Sequence, residues 1–285
     1  MRERYINPFT DFGFKKLFGE ESNTDLLIDF INTLLPEAGP VVSLTFLKTE
    51  HLGATPTDRK AIFDLYCQNE RGEKFIVELQ KAKQKYFKDR SLYYSTFAIQ
   101  EQAIVGEWDF RLQKVYAIAI LDFVFDETEA HRDKFRHDAQ LTETSTGAVF
   151  YDKLRFIYLE MPKFAKTETE LETHFDKWLY LLKNLAQLQD LPARLQERIF
   201  EKAFNVAELA KFNAEDRHAY QDSVKYYRDI KNSLDTAREE GEAMGEAKGR
   251  AEEKLLLAHK MKENGYSLAE IAALTELAET EIAAL

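Results

Sequence analysis

The sequence predicts an α/β protein in which a mixed β-sheet is flanked by helices and followed by an all-helical C-terminal part with a small helical tail. Short apolar runs rich in Ile, Val, Phe and Tyr alternate with amphipathic helical segments through the first 165 residues. One of these runs, residues 114–123, is apolar almost without a break, as is typical of a central strand covered on both faces. From residue 168 onward the apolar spacing is helical throughout.

The chain is expected to form three domains. A core occupies residues 1–165, a helical extension packed on the core occupies 166–240, and a helical tail with a helix-turn-helix-like end occupies 241–285. The tail carries a line of small residues, since glycines at 241, 245 and 249 are spaced by four, but it carries few basic side chains. We therefore expect it to form a homo-oligomer or to dock a partner at least as readily as it would bind DNA.

Composition excludes several classes of protein. No apolar run approaches the roughly 18 residues of a membrane span, and the first residues lack the apolar core of a signal peptide. The single cysteine, Cys67, fits a reducing compartment, so a cytoplasmic location without membrane contact is expected. The six histidines are scattered, and no Cys/His cluster indicates zinc.

The net charge of −11 argues against a protein that is basic over its whole surface. However, residues 1–125 contain 16 basic and 18 acidic residues, whereas 126–285 contain 23 basic and 32 acidic residues. The acidic excess therefore lies mainly in the second part of the chain. A local basic strip in the first part can still contact a phosphate backbone.

The elements of the predicted core follow from local patterns. Thr10 or Asp11 can cap the first helix. Residues 81–105 contain no Gly or Pro and should form one long helix, which Gly106 can end. The predicted elements, in order, are helices over 7–18 and 22–35, strands over 41–47, 61–67 and 74–79, a helix over 81–105, a strand over 114–123, an exposed insertion or loop over 126–148, and a strand over 153–161.

The second and third strands form a predicted β-hairpin, and each contains one carboxylate. Asp64 lies in the first and Glu78 in the second, and Gln80 shares the face of Glu78 because side chains alternate along a strand. A carboxylate within an apolar strand is costly unless it has a partner. Hard divalent cations such as Mg²⁺ bind carboxylate oxygens, so one cation could be that partner.

A lysine-rich segment follows at once. Lys81, Lys85 and Lys88 would share one face of the predicted helix, an arrangement typical of a solvated surface or of a contact with DNA phosphates. Arg90 and Tyr94 lie along another line of the same helix.

Five sequence motifs resemble those of the PD-(D/E)XK nuclease superfamily, in the branch described as nuclease family transposases or recombination-promoting nucleases. The resemblance covers roughly residues 5–240. The motifs are D…ExQ at Asp64, Glu78 and Gln80, D-x-x-F-K-x-x-F from Asp11, R-x-x-x-Y…Q-x-x-x-G at Arg90, Tyr94, Gln102 and Gly106, W-L-Y-L-L-K-N-L from Trp178, and Y-x-x-S-x-K-Y-Y-R-D from Tyr220. The third position of the motif is usually Lys in the superfamily, so Gln80 marks an ExQ variant.

The resemblance implies a restriction-endonuclease-like fold and a Mg²⁺-dependent DNA endonuclease, with Mn²⁺ as a possible substitute. Asp64, Glu78 and the backbone carbonyl of Leu79 would hold the metal, and Gln80 would orient water or phosphate. Asp11 would be a further acidic ligand or simply a helix cap. DNA would contact basic side chains of the following segment, and two further residues would be either supporting groups around the site or packing groups. The basic residues are Lys81, Lys83, Lys85, Lys88 and Arg90, and the supporting ones are Tyr94 and Gln102.

The alternative is a nuclease-fold protein with a weakened site that acts as a DNA-binding or oligomerising module. Because Gln80 has no positive charge, it cannot replace a lysine in stabilising the charge of a transition state. Lys81, Lys83 or Lys85 could supply that charge instead.

Overall fold

A mixed sheet of six strands lies in the first of two compact units, Met1–Ile230 and Lys231–Leu285. The structure, a computed structural model, describes residues 3–51, 61–103, 109–124 and 128–285. The described strands are β1 Leu44–Phe46, β2 Glu50–His51, β3 Ala61–Ile62, β4 Leu65–Asn69, β5 Lys74–Gln80, β6 Val115–Leu121, β7 Arg136–Thr142 and β8 Val149–Glu160. The six-stranded sheet has the order β1-β4-β5-β6-β8-β7, and β2 pairs with β3 separately.

Strands β5, β6 and β8 are parallel and form the centre of the sheet, whereas β1, β4 and β7 are antiparallel to their neighbours. Gln80 pairs with Leu121, which pairs with Glu160. The carboxyl ends of the three parallel strands therefore lie at one edge of the sheet. This edge is where the predicted site residues of β5 are found.

Helices cover both faces of this sheet. The described α-helices are α1 Asp11–Phe18, α2 Thr24–Leu34, α3 Phe87–Gln100, α4 His174–Asn184, α5 Arg198–Ala207, α6 Ala214–Glu263, α7 Leu268–Thr275 and α8 Glu279–Ala284. Helices α1, α2, α4 and α5 enclose one large core, in which the rings of Phe18, Phe30, Phe200 and Trp178 lie 5.1–5.8 Å apart. Helix α3 packs on the opposite face.

The alternation of side chains along β5 decides which face carries the predicted site. Phe75, Val77 and Leu79 point into the large core, whereas Ile76 packs with residues of α3. Glu78 and Gln80 have the same parity as Ile76, so they lie on the α3 face. The α/β fold predicted from the sequence is confirmed, including the mixed sheet, the flanking helices and the helical C-terminal part.

The strand predicted over 61–67 is two strands in different sheets. Residues of β3 pair with β2, and β4 pairs with β1 and β5. Phe63 and Asp64 lie between β3 and β4 and belong to neither strand, and the chain bends at Asp64. Phe63 is buried among aromatic side chains, while Asp64 turns its carboxylate onto the backbone of β5. This side-chain contact takes the place of a ladder hydrogen bond, which periodicity alone does not reveal.

The helix predicted over 81–105 begins later, at Phe87, and its last residue is Gln100. Residues 81–86 connect β5 to the helix without regular structure. Lys81 is held by an ion pair with Asp11, and the spacing of three lysines within 81–85 would place like charges close together in a helical turn. The predicted helix end at Gly106 lies outside the described residues.

The prediction of an exposed loop over 126–148 is wrong for residues 136–142. They form β7, an edge strand antiparallel to β8, with register shifts on either side of Leu141. Its side chains are mostly polar and exposed, as is usual at a sheet edge, and this polarity suggested a loop. Strand β8 likewise begins at Val149, four residues before the predicted start.

The second unit has a small apolar core of its own. It contains the end of α6 together with α7 and α8, which meet at Ala258, Met261, Ile271 and Ile282. The predicted boundaries at 165 and 240 stay a prediction. In the described part of the chain, no helix combines the length and the hydrophobicity that crossing a membrane requires.

Candidate active site

Asp64 forms two hydrogen bonds with β5, one with the backbone of Leu79 and one with the side chain of Glu78. The Asp64 carboxylate accepts the N–H of Leu79 with an O–N distance of 2.7 Å. The Glu78 carboxylate accepts the N–H of Asp64 at 3.3 Å. Both hydrogen bonds are possible because Asp64 lies between β3 and β4, outside either strand, and beside the carboxyl end of β5. Two acidic side chains from neighbouring segments thus meet at the sheet edge.

Gln80 completes the cluster. Its amide nitrogen donates to the second oxygen of Glu78 at 2.9 Å, and both side chains are buried. The amide oxygen is the atom that Gln80 could offer to a cation. The N–H and C=O of one strand residue point to the same side, so the Leu79 carbonyl faces the side on which Asp64 accepts the Leu79 N–H.

The electrostatics of this pair favour a positive partner. Burial and the nearby Asp64 carboxylate raise the pKa of Glu78 to about 8. Burial raises the pKa of Asp64 as well; the charge of Asp11 acts in the same direction, and the hydrogen bond from Leu79 opposes both. Two adjacent carboxylates cannot both ionise at low cost in this setting. A cation between them would remove the penalty.

Asp11 lies at the rim of the cluster and is paired with Lys81. The helix cap is Thr10, whose hydroxyl accepts the N–H of Gly13, so Asp11 is the first residue of α1 and not its cap. The Asp11 carboxylate contacts the ammonium of Lys81 at 2.9 Å. Burial raises the pKa of Asp11, but the hydrogen bonds and charges of Lys81 and Lys15 together outweigh it and lower the pKa. The charge of Asp11 acts on Asp64, while its carboxylate is held by a lysine.

The basic residues predicted to bind DNA are distributed differently from the prediction. Because the helix begins only at Phe87, Lys81, Lys83 and Lys85 precede it, and the expected helical face that included Lys88 does not form. Lys83, Lys85 and Lys88 are exposed, whereas the Lys81 side chain is 9% exposed.

Arg90 comes closest to the acidic pair among the residues of α3 that were predicted to bind DNA. It lines a small cavity of about 20 Å³ beside Glu78 and Gln80, a volume that holds about one water molecule. Its positive charge lowers the pKa of Glu78 against the larger effect of burial. The guanidinium also lies over the ring of Tyr94, 4.8 Å from its centroid, which connects Tyr94 to this cavity.

Gln102 is not brought to the site. Its amide oxygen accepts the N–H of Gln113 at 2.6 Å, and its nitrogen donates to the carbonyl of Ala98 at 3.0 Å. Gln113 precedes β6, whose first residue pairs with Lys74 at the opposite end of β5 from Glu78. Gln102 therefore fastens α3 to the segment before β6.

Sequence reasoning missed the part that α6 plays at this edge. Asp122 donates its N–H to the carbonyl of Gln80 at 2.9 Å, and its carboxylate accepts the hydroxyl of Tyr227 at 2.6 Å. The ammonium of Lys81 lies 5.6 Å from the ring centroid of Tyr226. Tyr226 and Tyr227 belong to the sequence motif that begins at Tyr220, and that motif was the one feature that could have drawn attention to them. Nothing in the sequence placed them beside β5.

The donor set fits a hard divalent cation. Among the described residues, no three His, Cys, Asp or Glu side chains are arranged to hold a metal ion. Mg²⁺, however, is usually bound through one or two carboxylates together with water and substrate phosphate. Asp64 and Glu78 are two carboxylates whose pKa values are raised by burial and by neighbouring carboxylates, and the Gln80 amide offers an oxygen beside them. Cys67 is buried in the large core and does not take part.

Comparison with known families assigns most of the chain to one family. The family described as PD-(D/E)XK nuclease family transposase matches residues 8–237, about four-fifths of the chain. No curated protein and no solved structure shows a significant match. The matched segment contains the whole sheet, helices α1 to α5 and the first part of α6. The chain therefore belongs to the PD-(D/E)XK nuclease family transposases.

Proposed function

We propose that the protein is a DNA endonuclease that depends on a divalent metal ion and hydrolyses phosphodiester bonds. The observation that carries this proposal is the meeting of Asp64, Glu78 and Gln80 at the carboxyl edge of β5, with raised pKa values for the two acids. Members of this nuclease family generally depend on divalent metals. DNA is the expected substrate of the family, and Mg²⁺, with Mn²⁺ as a substitute, is the metal that suits an all-oxygen donor set.

The residues have distinct proposed roles. Asp64, Glu78 and the carbonyl of Leu79 would hold the cation, which supplies polarisation of the scissile phosphate and activation of water when bound. Gln80 keeps Glu78 oriented through its amide nitrogen and presents its amide oxygen to water or to the cation. The ion pair with Asp11 keeps Lys81 at the rim, where its charge can act on a phosphate.

Substrate binding would use the exposed lysines that surround this edge. Lys83, Lys85 and Lys88 lie on the connection to α3 and on its first turn, all exposed. Each phosphate contact adds to the salt dependence of binding. Arg90 lies closer to the acids and would contact the DNA nearest to the cleavage site. The ExQ assignment, the cytoplasmic location and a homo-oligomer formed through residues 241–285 are parts of the same proposal.

The second candidate is a nuclease-fold protein that binds DNA or oligomerises without efficient cleavage. It is favoured by the amide at position 80, which replaces the usual ammonium and already donates to Glu78. In this case binding would persist while cleavage would stay at background.

Plasmid nicking separates the two candidates. The wild type is compared with Asp64→Asn and Glu78→Gln in Mg²⁺, in Mn²⁺ and in a chelator, and Glu37→Gln is the matched control because Glu37 is an exposed acid. An endonuclease would nick DNA only with metal, lose this activity in the two site variants and keep it in the control. Equal background in all four proteins, with DNA binding retained, would leave the binding module.

A further inference from the structure

Three tyrosines line an open cleft on α3 and on the segment before it. The cleft has a volume of about 540 Å³, within the range of about 300–1,000 Å³ that is common for ligand sites. We call it the tyrosine cleft, and it is lined by Gln84, Lys85, Tyr86, Asp89, Arg90, Tyr93 and Tyr94. The catalytic roles proposed above do not use its aromatic surface.

The rings of this cleft are presented to solvent. Tyr86 is 66% exposed and Tyr93 is 42% exposed. Tyr94 is better packed, with its ring edge-on to Phe63 at 5.4 Å, and it forms the inner wall. Large aromatic side chains in a packed domain usually contribute to a core, so two exposed rings in one cleft indicate a surface for stacking.

Positive charge accompanies these rings. The ammonium of Lys85 lies 5.4 Å from the ring centroid of Tyr86, and the guanidinium of Arg90 lies over Tyr94. Asp89 is the one acid among the described lining residues, so the cleft has a net positive charge. Aromatic faces interleaved with basic side chains are the combination with which proteins bind unpaired nucleotides, through stacking and backbone contacts.

Arg90 connects the cleft to the acidic cluster. It lines both the tyrosine cleft and the small cavity that contains Glu78 and Gln80. Tyr94 is likewise shared by both. A nucleotide base in the cleft would therefore lie one side-chain layer from the carboxylates.

We propose that the tyrosine cleft binds an unpaired DNA base next to the scissile phosphate, so that the preferred substrate has a single-stranded gap, flap or extruded nucleotide. Bases within a paired duplex are stacked on one another and cannot offer their faces to Tyr86 and Tyr93, whereas an unpaired base can. Lys85 and Arg90 would bind the phosphates that flank this base. The inference rests on the proposed nuclease function and names the substrate form for the same site.

The test measures DNA binding in Ca²⁺, where cleavage is not required for the readout. Fluorescence anisotropy compares a fully paired duplex with the same duplex carrying a short gap, for the wild type, Tyr86→Ala, Tyr93→Ala and the double variant. We expect the wild type to prefer the gapped DNA. The double variant should bind gapped DNA roughly 5- to 150-fold more weakly, the range for the loss of one stacked base, with little change for the paired duplex.

Two controls keep the result specific. Phe150→Ala removes an aromatic side chain that is 76% exposed at the far end of β8, and Tyr86→Phe keeps the ring; both should retain the wild-type preference. A 2-aminopurine base in the gap should be quenched on binding to the wild type and not to the double variant. Quenching reports stacking without reference to affinity or to cleavage.

The outcomes distinguish this inference from the nuclease proposal. No preference of the wild type for gapped DNA, or equal weakening of gapped and paired DNA in the double variant, would overturn the tyrosine cleft as a base site. If the preference depends on the tyrosines but Asp64→Asn still nicks plasmid DNA as the wild type does, the metal-site assignment fails and the base site stands.

Discussion

The backbone N–H of Asp64, which lies between β3 and β4, donates to the carboxylate of Glu78 in β5. This hydrogen bond joins residues 14 positions apart and places two acids side by side at the carboxyl edge of the parallel strands. Burial raises the pKa of Glu78, and the nearby Asp64 carboxylate raises it further, because one carboxylate disfavours ionisation of the next.

Stability of the metal-free protein should depend on Glu78 and on pH. Burial and Asp64 raise the pKa of Glu78 from its ordinary 4.5 to about 8, so between these values the folded state binds more protons than the unfolded state. The free energy of unfolding should then fall as the pH rises from about 4.5 to about 8. Glu78→Gln removes this loss and should stabilise the metal-free protein at pH 8 by roughly 2–5 kcal/mol.

Urea denaturation in a chelator at pH 5 and pH 8 measures this effect. Glu37→Gln replaces an exposed acid and should leave the pH dependence of the wild type unchanged. A Glu78→Gln variant whose stability falls with pH as steeply as that of the wild type would contradict the raised pKa.

Two different substitutions of Gln80 should shift the pKa of Glu78 in opposite directions. Gln80→Lys places an ammonium where the amide nitrogen now donates to Glu78, so the pKa of Glu78 should fall. Gln80→Glu adds a third carboxylate of the same shape and should raise it further. Metal-dependent nicking should therefore begin at a lower pH in Gln80→Lys than in the wild type and at a higher pH in Gln80→Glu. A pH profile of the nicking rate checks this, and identical profiles would argue against contact between position 80 and the ionised acid.

Lys81 and Lys83 should contribute differently to the cleavage rate, although they are only two residues apart. The Lys81 ammonium is held at the rim of the site by Asp11, whereas the side chain of Lys83 is exposed. Lys81→Gln should lower the cleavage rate about 100-fold if its charge acts on the transition state, as removal of one preorganised donor typically does. Its effect on stability should stay below about 1 kcal/mol, because Asp11 is largely exposed.

Lys83→Gln is the matched control for this prediction. It should leave the cleavage rate at saturating DNA nearly unchanged and reduce the salt dependence of binding by about one ion. If both variants lose the same fraction of the maximal rate, Lys81 has no special position.

Gly13 should be required for the start of α1, which presents Asp11. A β-carbon at this position would lie 2.1 Å from the carbonyl oxygen of Asn7 and 2.8 Å from the hydroxyl of Thr10. The backbone would have to shift, so Gly13→Ala should destabilise the protein by more than the roughly 1 kcal/mol expected for removing the cap in Thr10→Ala. Thermal denaturation of both variants checks the order, and equal melting temperatures would contradict it.

Local sequence patterns were sufficient to predict much of the fold. A nearly unbroken apolar run identified β6, because a strand buried on both faces needs no polar alternation, and an apolar run interrupted by Glu78 identified β5. The edge strand β7 was missed for the opposite reason, since its polar and exposed residues have the composition of a loop. The late start of α3 was missed because no Gly or Pro marks residues 81–86, where the contact between Lys81 and Asp11 is a long-range one.

The candidate site shows the same division between local and distant information. Alternation along one strand placed Glu78 and Gln80 on a common face, and motif spacing drew attention to Asp64. The hydrogen bond from Leu79 to Asp64 depends on the two residues between β3 and β4 that belong to neither strand. The contacts of Tyr226 and Tyr227 join positions more than 100 residues apart. Such contacts follow from packing, which a single sequence does not display.

Calorimetric titration of the protein with Mg²⁺ or Mn²⁺, without DNA and in buffers of different ionisation enthalpy, tests the central claim most directly. We expect binding by the wild type with release of protons near pH 7, because Glu78 must lose its proton to ligate a cation. Asp64→Asn and Glu78→Gln should each abolish this binding, while Glu37→Gln should retain it. Metal binding of unchanged affinity and proton release in both site variants would contradict the assignment of these two carboxylates as the metal site.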